Sequence, residues 1–229
     1  MNLWVQGQLG SGIFGASFTS LSCFVSPMTA NATLLNRRSI LRKELRARRN
    51  ALNPSQQEAA SAWVLRHLMK MPKFLRAQHV ALYIPNDGEL NPAPIAEQLW
   101  KMGKHCYLPV LHPTHDRQLW FVEYTPDSVL TPNRFKIPEP DRRQAHKIAA
   151  QLLDIVLLPL VGFDRKGGRL GMGGGFYDTT FAFHKGKKTK PYLIGLAHAC
   201  QEVESLDIAE WDIPLHRVIT DKEVVMTGN

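Results

Sequence analysis

The sequence predicts a single α/β domain with three layers, in which helices cover both faces of a mostly parallel, Rossmann-like central sheet. From about residue 37 onward, short β-rich runs alternate with helical patterns, as in a parallel sheet flanked by helices. The most continuously apolar run, residues 152–161, has the composition of a central strand buried on both faces. With 229 residues, 44% of them hydrophobic and 21% charged, the chain suits one domain with a sizeable core.

The N-terminal segment, residues 1–36, contains no charged side chain and is rich in Gly, Ser, Thr and Asn. It lacks the basic start of a secretory signal and the arginines of a mitochondrial one. We therefore expect a disordered extension over residues 1–36 and the α/β domain over residues 37–229. Met28 lies within this extension and is a candidate for the native start.

The helices and strands are expected in the following order. A basic helix from Arg37, with a leucine stripe on one face, ends near Asn53 and Pro54, which suit the N-cap and first turn of the next helix. A strand at residues 79–85, an Asn-Asp-Gly turn and a helix at residues 92–102 form a βα unit. Further strands are expected at residues 105–110, 119–124, 152–161, 192–197, 217–220 and 223–226, and a short helix at residues 176–184.

Composition excludes several protein classes. No run approaches the roughly 18 apolar residues of a membrane-spanning helix. The three cysteines, Cys23, Cys106 and Cys200, are widely spaced and form no C-x-x-C pair, so neither a disulfide framework nor a zinc site is indicated. We expect a monomer in a reducing cytoplasm, with small-molecule substrates and no membrane partner.

The formal net charge of +8 comes largely from two basic clusters. Seven cations lie within residues 37–50, and a second cluster occupies residues 185–190. A basic surface attracts phosphate-bearing partners, so a nucleic-acid-binding module remains an alternative. Such runs are usually solvated helix faces, and here the leucine stripe indicates docking on the domain. We therefore expect no nucleic-acid partner.

The glycine-rich segment is the main candidate for a binding site. Six of the nine residues from Gly167 to Gly175 are glycine, and each costs backbone entropy on folding. Between a strand and a helix, successive bare N–H groups form an anion site backed by the helix dipole. The segment matches neither the Walker A motif nor the dinucleotide-binding fingerprint. A flexible loop with tight turns is the alternative.

The string from Gly167 to Asp178, GGRLGMGGGFYD, resembles the signature of the 5-formyltetrahydrofolate cyclo-ligases (methenyltetrahydrofolate synthetases). The resemblance spans residues 37–225. It includes the basic start at residues 37–42, Asp-Gly-Glu at residues 87–89, Ile-Pro-Glu-Pro at residues 137–140 and Glu-Trp-Asp-Ile-Pro at residues 210–214.

Carried over position by position, the resemblance implies sites for ATP, folate and Mg²⁺. The residues implied for ATP are Arg38, Ser39, Ile40, Leu41, Arg42, Arg169, Leu170, Gly171, Met172, Gly173, Gly174, Gly175, Phe176 and Tyr177. Those implied for folate are Ile84, Glu89, Met172, Gly173, Gly174, Gly175 and Phe176, and we add Phe135 as a side chain that stacks on the pterin. Asp178 and Asp212 match the Mg²⁺ ligands, and Arg169 and Glu89 are expected to be catalytic.

Some of these residues have structural interpretations as well. Asp178 suits the first turn of a helix, and Asp-Gly at residues 87–88 is typical of a turn. In vertebrate-like members of the family, Arg and Lys stand at the positions of Met172 and Gly174. We expect Arg165, Lys166 or the N-terminal arginines to supply the missing charge.

The resemblance implies a ligase that converts 5-formyltetrahydrofolate to 5,10-methenyltetrahydrofolate, with ATP as co-substrate, Mg²⁺ as cofactor, and ADP and phosphate as products. The implied mechanism is attack of the N5-formyl oxygen on the γ-phosphate, followed by closure of N10 on the activated carbon. Such a transfer needs positioning, charge neutralisation and exclusion of water. A different ATP-using paralogue with the same fold is the alternative enzyme.

Overall fold

The computed structural model describes residues 27–141, 143, 146–185 and 190–227, with only the backbone described for residues 27–33. Residues 1–26 of the expected extension and residues 186–189 of the second basic cluster lie outside the described residues. The α-helices in the described part are α1 (Pro27–Asn50), α2 (Pro54–Leu68), α3 (Pro72–Arg76), α4 (Ala93–Lys101) and α5 (Phe176–Thr180).

The strands in the described part of the chain are short, and most coincide with the β-rich runs of the sequence. They are β1 (His79–Ala81), β2 (His105–Leu111), β3 (Leu119–Glu123), β4 (Leu130–Pro132), β5 (Pro138–Pro140), β6 (Lys147–Ile148), β7 (Ile155–Pro159), β8 (Gly162–Phe163), β9 (Arg169–Leu170), β10 (Tyr192–Leu196), β11 (Arg217–Ile219) and β12 (Val224–Met226).

The main sheet has eight strands in the order β12-β11-β10-β7-β1-β2-β3-β6. The five central strands, from β11 to β2, run parallel, whereas β12, β3 and β6 add antiparallel edges. Strand β7 lies in the middle, and its residues 155–158 are buried, as its apolar composition predicted. The mostly parallel α/β fold is confirmed.

The two faces of the sheet are covered differently. Helices α2, α3 and α4 bury Val64, Phe74 and Leu99 against one face of the sheet. On the other face the buried side chains come from loops and from the short helical segment around α5, including Phe163, Phe181, Ile213 and Leu215. This face of the sheet is therefore covered by less helix than expected, because connecting loops supply many of the buried side chains.

The N-terminal helix begins earlier than the sequence indicated. The described backbone is helical from Pro27 rather than from Arg37, so α1 includes residues 27–36. A proline is well tolerated in the first turn, and the Ala and Leu residues that follow are good helix formers. At the other end α1 stops at Asn50, and Asn53 caps α2 through a reciprocal bond with Gln56, as predicted.

Arg49 anchors α1 to the sheet. Its side chain is fully buried and donates to the carbonyl oxygens of Leu160 at 2.9 Å and Asp87 at 2.7 Å, and to the Asp87 carboxylate at 3.0 Å.

None of the described helices combines the length and hydropathy that a membrane span requires.

Replacement of Arg49 by methionine is expected to lower the free energy of unfolding by about 3 kcal/mol. It leaves the Leu160 and Asp87 carbonyl oxygens without their buried donor and removes one of the two arginines that pair with the Asp87 carboxylate. Urea denaturation measures this loss. The control is Arg48→Met on the same helix, which removes an exposed pair with Glu44 and is expected to cost less than about 0.5 kcal/mol. Equal losses for the two variants would contradict the anchoring role.

Candidate active site

The candidate site lies at the carboxyl edge of the parallel strands, where α/β sheets bind ligands. The segments that follow β1 and β7 meet there with α1 and with the loop at residues 203–216. Within α1, Leu45 is fully buried against Val161, Leu170 and Leu206. This packing places the positively charged face of α1 against the segments that carry the predicted site residues.

The first two glycines of the segment shape a β-hairpin. Strands β8 and β9 pair antiparallel, and Asp164 Oδ1 closes their turn by accepting from the amides of Lys166 at 2.9 Å and Gly168 at 2.8 Å. A Cβ on Gly168 would lie 2.7 Å from Asp164 Oδ2, so only glycine fits there. These residues serve the turn, which the sequence did not reveal.

The remaining glycines form an exposed loop between β9 and α5. Residues 171–174 are exposed, and Gly173 has φ +98°, a conformation that L side chains rarely adopt. The loop follows the short strand β9 rather than the buried strand β7, and α5 has only five residues. A helix does follow the loop, as predicted, but α5 is so short that the arginines around the loop are the larger source of positive charge.

Arg169 and Asp178 form a pair beside this loop. The Arg169 guanidinium is 7% exposed and donates through Nη2 to Asp178 Oδ1. The same oxygen accepts from the Ile213 amide at 3.0 Å. Arg169 Nη1 is buried and has no hydrogen-bond partner among the described residues, so one strong donor remains available at the loop.

Arg38 and Asp212 form a second pair on the α1 side. Arg38 bonds both oxygens of the Asp212 carboxylate and also donates to the Asp207 carbonyl. Both side chains of the pair are 10% exposed. Because Ile213 follows Asp212 and bonds Asp178, the two arginine–aspartate pairs are adjacent.

Arg42 approaches the glycine loop directly. Its Nε donates to the Gly171 carbonyl at 2.8 Å, and its guanidinium carbon would lie 3.3 Å from a Cβ on Gly173. Partial burial and the neighbouring Arg38 lower the pKa of Arg42 from its ordinary value. Positions 38 and 42, four residues apart, share the α1 face that meets the loop.

The other three residues of the predicted N-terminal ATP segment lie differently. Leu41 packs on the small core around Leu45. Ser39 is exposed, and Ile40 is exposed to 63%. The helical period of about 3.6 residues explains this separation. In the contiguous range Arg38 to Arg42, Arg42 therefore contacts the loop, Arg38 contacts the neighbouring Asp212, and the other three residues make no polar contact with either among the described residues.

Glu89 is a buried carboxyl group at the end of the β1 segment. Its side chain is 10% exposed, and burial raises its pKa to about 7, although Arg49 at 3.9 Å and the Asn86 amide at 3.1 Å act in the opposite direction. Neighbouring Asp87 is different, because its hydrogen bond with Arg46 holds its pKa at about 2. Two carboxyl groups two residues apart therefore differ in charge near neutral pH.

Two tyrosines lie within electrostatic range of Glu89. Burial first, and the Glu89 charge second, raise the pKa of both Tyr83 and Tyr177 well above the ordinary value. Tyr83 donates to the Leu90 carbonyl at 2.6 Å. Tyr177, which follows the glycine loop, is thus brought close to the β1 segment, where Ile84 packs at the edge of the core. With pKa values raised in this way, both hydroxyls stay protonated near neutral pH.

The β4–β5 hairpin adds an aromatic side chain to the glycine loop. Phe135 is 49% exposed, and its ring meets Phe176 edge to face at a centroid distance of 5.8 Å. Asn133 Oδ1 fixes the tip by accepting from the Phe135 amide at 2.8 Å. The structure therefore brings the predicted folate residue Phe135 to the loop.

The structure removes one predicted source of charge from the site. Arg165 forms ion pairs with Glu202 at 2.6 Å and with Glu223 at 2.5 Å, so its charge is already compensated. Of the three candidates for the missing loop cations, Arg165 is thus the least free, and Lys166 lies in the β8–β9 turn. The N-terminal arginine Arg42 contacts the loop directly at Gly171, and Arg38 lies beside Arg42.

A divalent cation fits the donor set at one point. Asp178 Oδ2 accepts no hydrogen bond from the described residues, whereas both oxygens of Asp212 are engaged by Arg38. No group of three or more His, Cys, Asp or Glu side chains with metal-binding geometry exists among the described residues. One or two carboxylates suit Mg²⁺, which keeps water and phosphate oxygens in the rest of its shell.

Comparison with known proteins agrees with this arrangement. The model of the 5-formyltetrahydrofolate cyclo-ligase family matches residues 35–221. The chain belongs to the 5-formyltetrahydrofolate cyclo-ligase family. It is 46% identical over 180 residues to the 5-formyltetrahydrofolate cyclo-ligase of Escherichia coli strain K12, covering 79% of this chain and 98% of that protein. The corresponding protein of Haemophilus influenzae is 40% identical over 183 residues, with 80% and 97% covered. These relatives are ligases.

Solved structures of family members have the same fold. The 5,10-methenyltetrahydrofolate synthetase of Aquifex aeolicus superposes with a TM-score of 0.71 at 28% identity, covering 84% of this chain and 93% of that one. The Mycoplasma pneumoniae synthetase, at 21% identity, shares the fold with a TM-score of 0.64 over 81% and 99% of the chains.

Sequence reasoning missed three residues around the site of this family member. Asp164, which closes the β8–β9 turn, precedes Gly168 by four residues. An Asp shortly before glycines is typical of a turn, so the sequence could have predicted this one. Arg49 was visible only as one cation among seven. Arg117, at the tip of the β2–β3 hairpin, lies beside Gly175 and had no local signal.

Proposed function

We propose that this protein converts 5-formyltetrahydrofolate to 5,10-methenyltetrahydrofolate in an ATP- and Mg²⁺-dependent reaction that releases ADP and phosphate. The observation that carries the proposal is the glycine loop, bordered by Arg38, Arg42 and Arg169 on the side of the phosphates and by buried Glu89 near Tyr177 on the side of the folate. Phosphoryl transfer needs the positively charged side of the loop, and ring closure needs the side with Glu89. The two sides must therefore be adjacent.

The first step is transfer of the γ-phosphoryl group to the N5-formyl oxygen, with ADP as the leaving group. The bare amides of residues 171–175 and the arginine guanidinium groups bind the phosphate oxygens and offset the negative charge of the transition state. Arg169 Nη1, buried without a partner among the described residues, gains a phosphate oxygen as its acceptor. Arg169 is therefore the proposed catalytic arginine.

The second step is ring closure. N10 attacks the activated formyl carbon, phosphate leaves with the former formyl oxygen, and N10 loses its proton. Glu89 accepts this proton, since a pKa of about 7 matches a general base that works at neutral pH. Phe135, Phe176 and Ile84 provide apolar contacts for the folate and exclude water, to which the phosphorylated intermediate is sensitive.

Asp178 and Asp212 are the residues that would hold Mg²⁺, which supplies charge neutralisation and orientation to the phosphates. Arg38 and Arg169 hold these two carboxylates through ion pairs. We further propose that the protein acts as a monomer in the cytoplasm.

The arginine-rich helix supports an enzyme rather than a nucleic-acid-binding module. Six of the seven cations in residues 37–50 already have a partner within the protein: Arg37, Arg38, Arg42, Arg46, Arg48 and Arg49. A surface for nucleic acid depends on an extended patch of cations that face outward, whereas carboxylates of the protein hold Arg37, Arg46, Arg48 and Arg49, and Arg42 is directed at the glycine loop.

The test is to mix the purified protein with 5-formyltetrahydrofolate, ATP and Mg²⁺ and to follow the ultraviolet absorbance of the methenyl product. An absorbance rise that needs all three components is expected. The absence of an ATP-dependent rise, together with salt-sensitive retention on nucleic acid, would replace the proposal with the binding module. Turnover of ATP with a different substrate would indicate a paralogue.

A further inference from the structure

The glycine loop at the proposed site lacks cations of its own. No Lys or Arg occurs from Leu170 to Phe183, although the triphosphate of ATP is a highly charged anion. The three arginines at the loop are each bonded already, Arg38 to Asp212, Arg42 to the Gly171 carbonyl and Arg169 to Asp178. Further positive charge must come from another part of the fold.

The tip of the β2–β3 hairpin lies beside the loop. The Cδ atom of Arg117 lies 4.0 Å from the position that a Cβ on Gly175 would take. The hairpin is fixed there, because the Leu119 amide donates to Thr180 Oγ1 in α5 at 3.0 Å. Arg117 thus borders the end of the loop, opposite the part that Arg42 contacts at Gly171.

Arg117 differs from the other arginines near the loop, because its side chain has no bonding partner among the described residues. Its side chain is exposed and has no hydrogen bond or ion pair with the described residues. Its backbone has φ +58°, the left-handed region that residues with a Cβ rarely adopt. Strained backbone of this kind clusters at functional sites. Arg134 on the neighbouring hairpin differs, since it lies over Phe135 and within 4.0 Å of Asp116.

We propose that Arg117 binds the phosphates of ATP and supplies the positive charge that the glycine loop lacks. This inference rests on the proposed function and extends its ATP site to the β2–β3 hairpin. A guanidinium group presents a planar set of donors that matches phosphate oxygens. The phosphates are the chosen ligand, rather than the glutamate carboxylates of folate, because Arg117 borders a run of glycine amides that suits an oxyanion of this kind.

The test uses Arg117→Gly, which removes the side chain and also relieves the left-handed backbone, so the variant is expected to melt no lower than the wild type. We expect the Kd for ATP, measured by calorimetry without folate, and the KM for ATP to rise about tenfold. The KM for 5-formyltetrahydrofolate is expected to stay within about twofold. The matched control, Arg66→Ala on the exposed side of α2, is expected to change none of these constants.

A second variant restores the charge from within the loop. Met172 is 50% exposed, so arginine fits there without repacking the core. Arg117→Gly combined with Met172→Arg is expected to recover most of the lost ATP affinity. An unchanged ATP Kd in Arg117→Gly would overturn the inference, and so would a rise confined to the folate KM. Because ATP binding is measured without turnover, this result does not depend on the activity assay that decides the proposed function.

Discussion

Replacement of Glu89 by glutamine is expected to lower kcat for the proposed cyclisation at least about hundredfold, the usual contribution of a general base. Glutamine has the shape of glutamate and its oxygen still accepts from the Asn86 amide, which lies 3.1 Å from the carboxylate. It cannot take the proton from N10. Rapid-quench or absorbance assays at saturating ATP and folate measure the loss, and circular dichroism checks the fold.

The pH profile gives an independent check on Glu89. Burial raises its pKa from 4.5 to about 7, so the reactive ionised form increases as pH rises through 7. The wild-type rate should therefore climb through this interval and level off above it, whereas the residual rate of Glu89→Gln should lack that step. A wild-type profile that is flat between pH 5 and 8 would remove Glu89 as the base.

The raised pKa of Glu89 also predicts how the stability of the protein changes with pH. Because the pKa is higher in the folded state than in the unfolded chain, the folded state binds the proton more tightly between pH 4.5 and 7. The free energy of unfolding from this group therefore falls as pH rises through that interval. Glu89→Gln is expected to gain stability relative to the wild type on going from pH 5 to pH 8, as measured by thermal melting at the two pH values.

Replacement of Asp178 by asparagine is expected to raise the Mg²⁺ concentration for half-maximal activity at least about tenfold and to lower kcat/KM for ATP about hundredfold. The amide oxygen of asparagine still accepts from Ile213, as Asp178 Oδ1 does at 3.0 Å, so the loop stays in place. The negative charge that faces Arg169 and the metal is lost.

The comparison that separates a metal ligand from a purely structural acid is the Mg²⁺ titration. If Asp178 only holds Arg169, the variant should have a lower activity at every Mg²⁺ concentration but an unchanged half-maximal point. A shifted half-maximal point supports the ligand role. Asp164→Asn provides the control, because Asp164 is a buried carboxylate bonded to the amides of Lys166 and Gly168 in the turn before the loop, and its replacement should act on stability and not on metal dependence.

Much of the fold was predictable because its signals are local. The apolar composition of β7 identified the central strand, and the Asn53–Gln56 box marked the start of α2. Alternation of strands with helices implied parallel pairing, which five adjacent strands show. The start of α1 at Pro27 was missed, since the uncharged residues 27–36 lack the amphipathic pattern by which a helix is recognised.

The sequence by itself determined which residue types are candidates for the site: the glycine segment, the acidic residues and the arginines of α1. Motifs and local composition depend only on neighbouring positions in the chain, so both can be recognised without a structure. Only the tertiary structure decided which of them meet. Arg38 pairs with Asp212 across 174 positions, Arg49 is buried, and Arg165 is bound by Glu202 and Glu223. The raised pKa of Glu89 and the position of Arg117 beside Gly175 depend likewise on burial and on contacts between distant segments, and no local pattern encodes either.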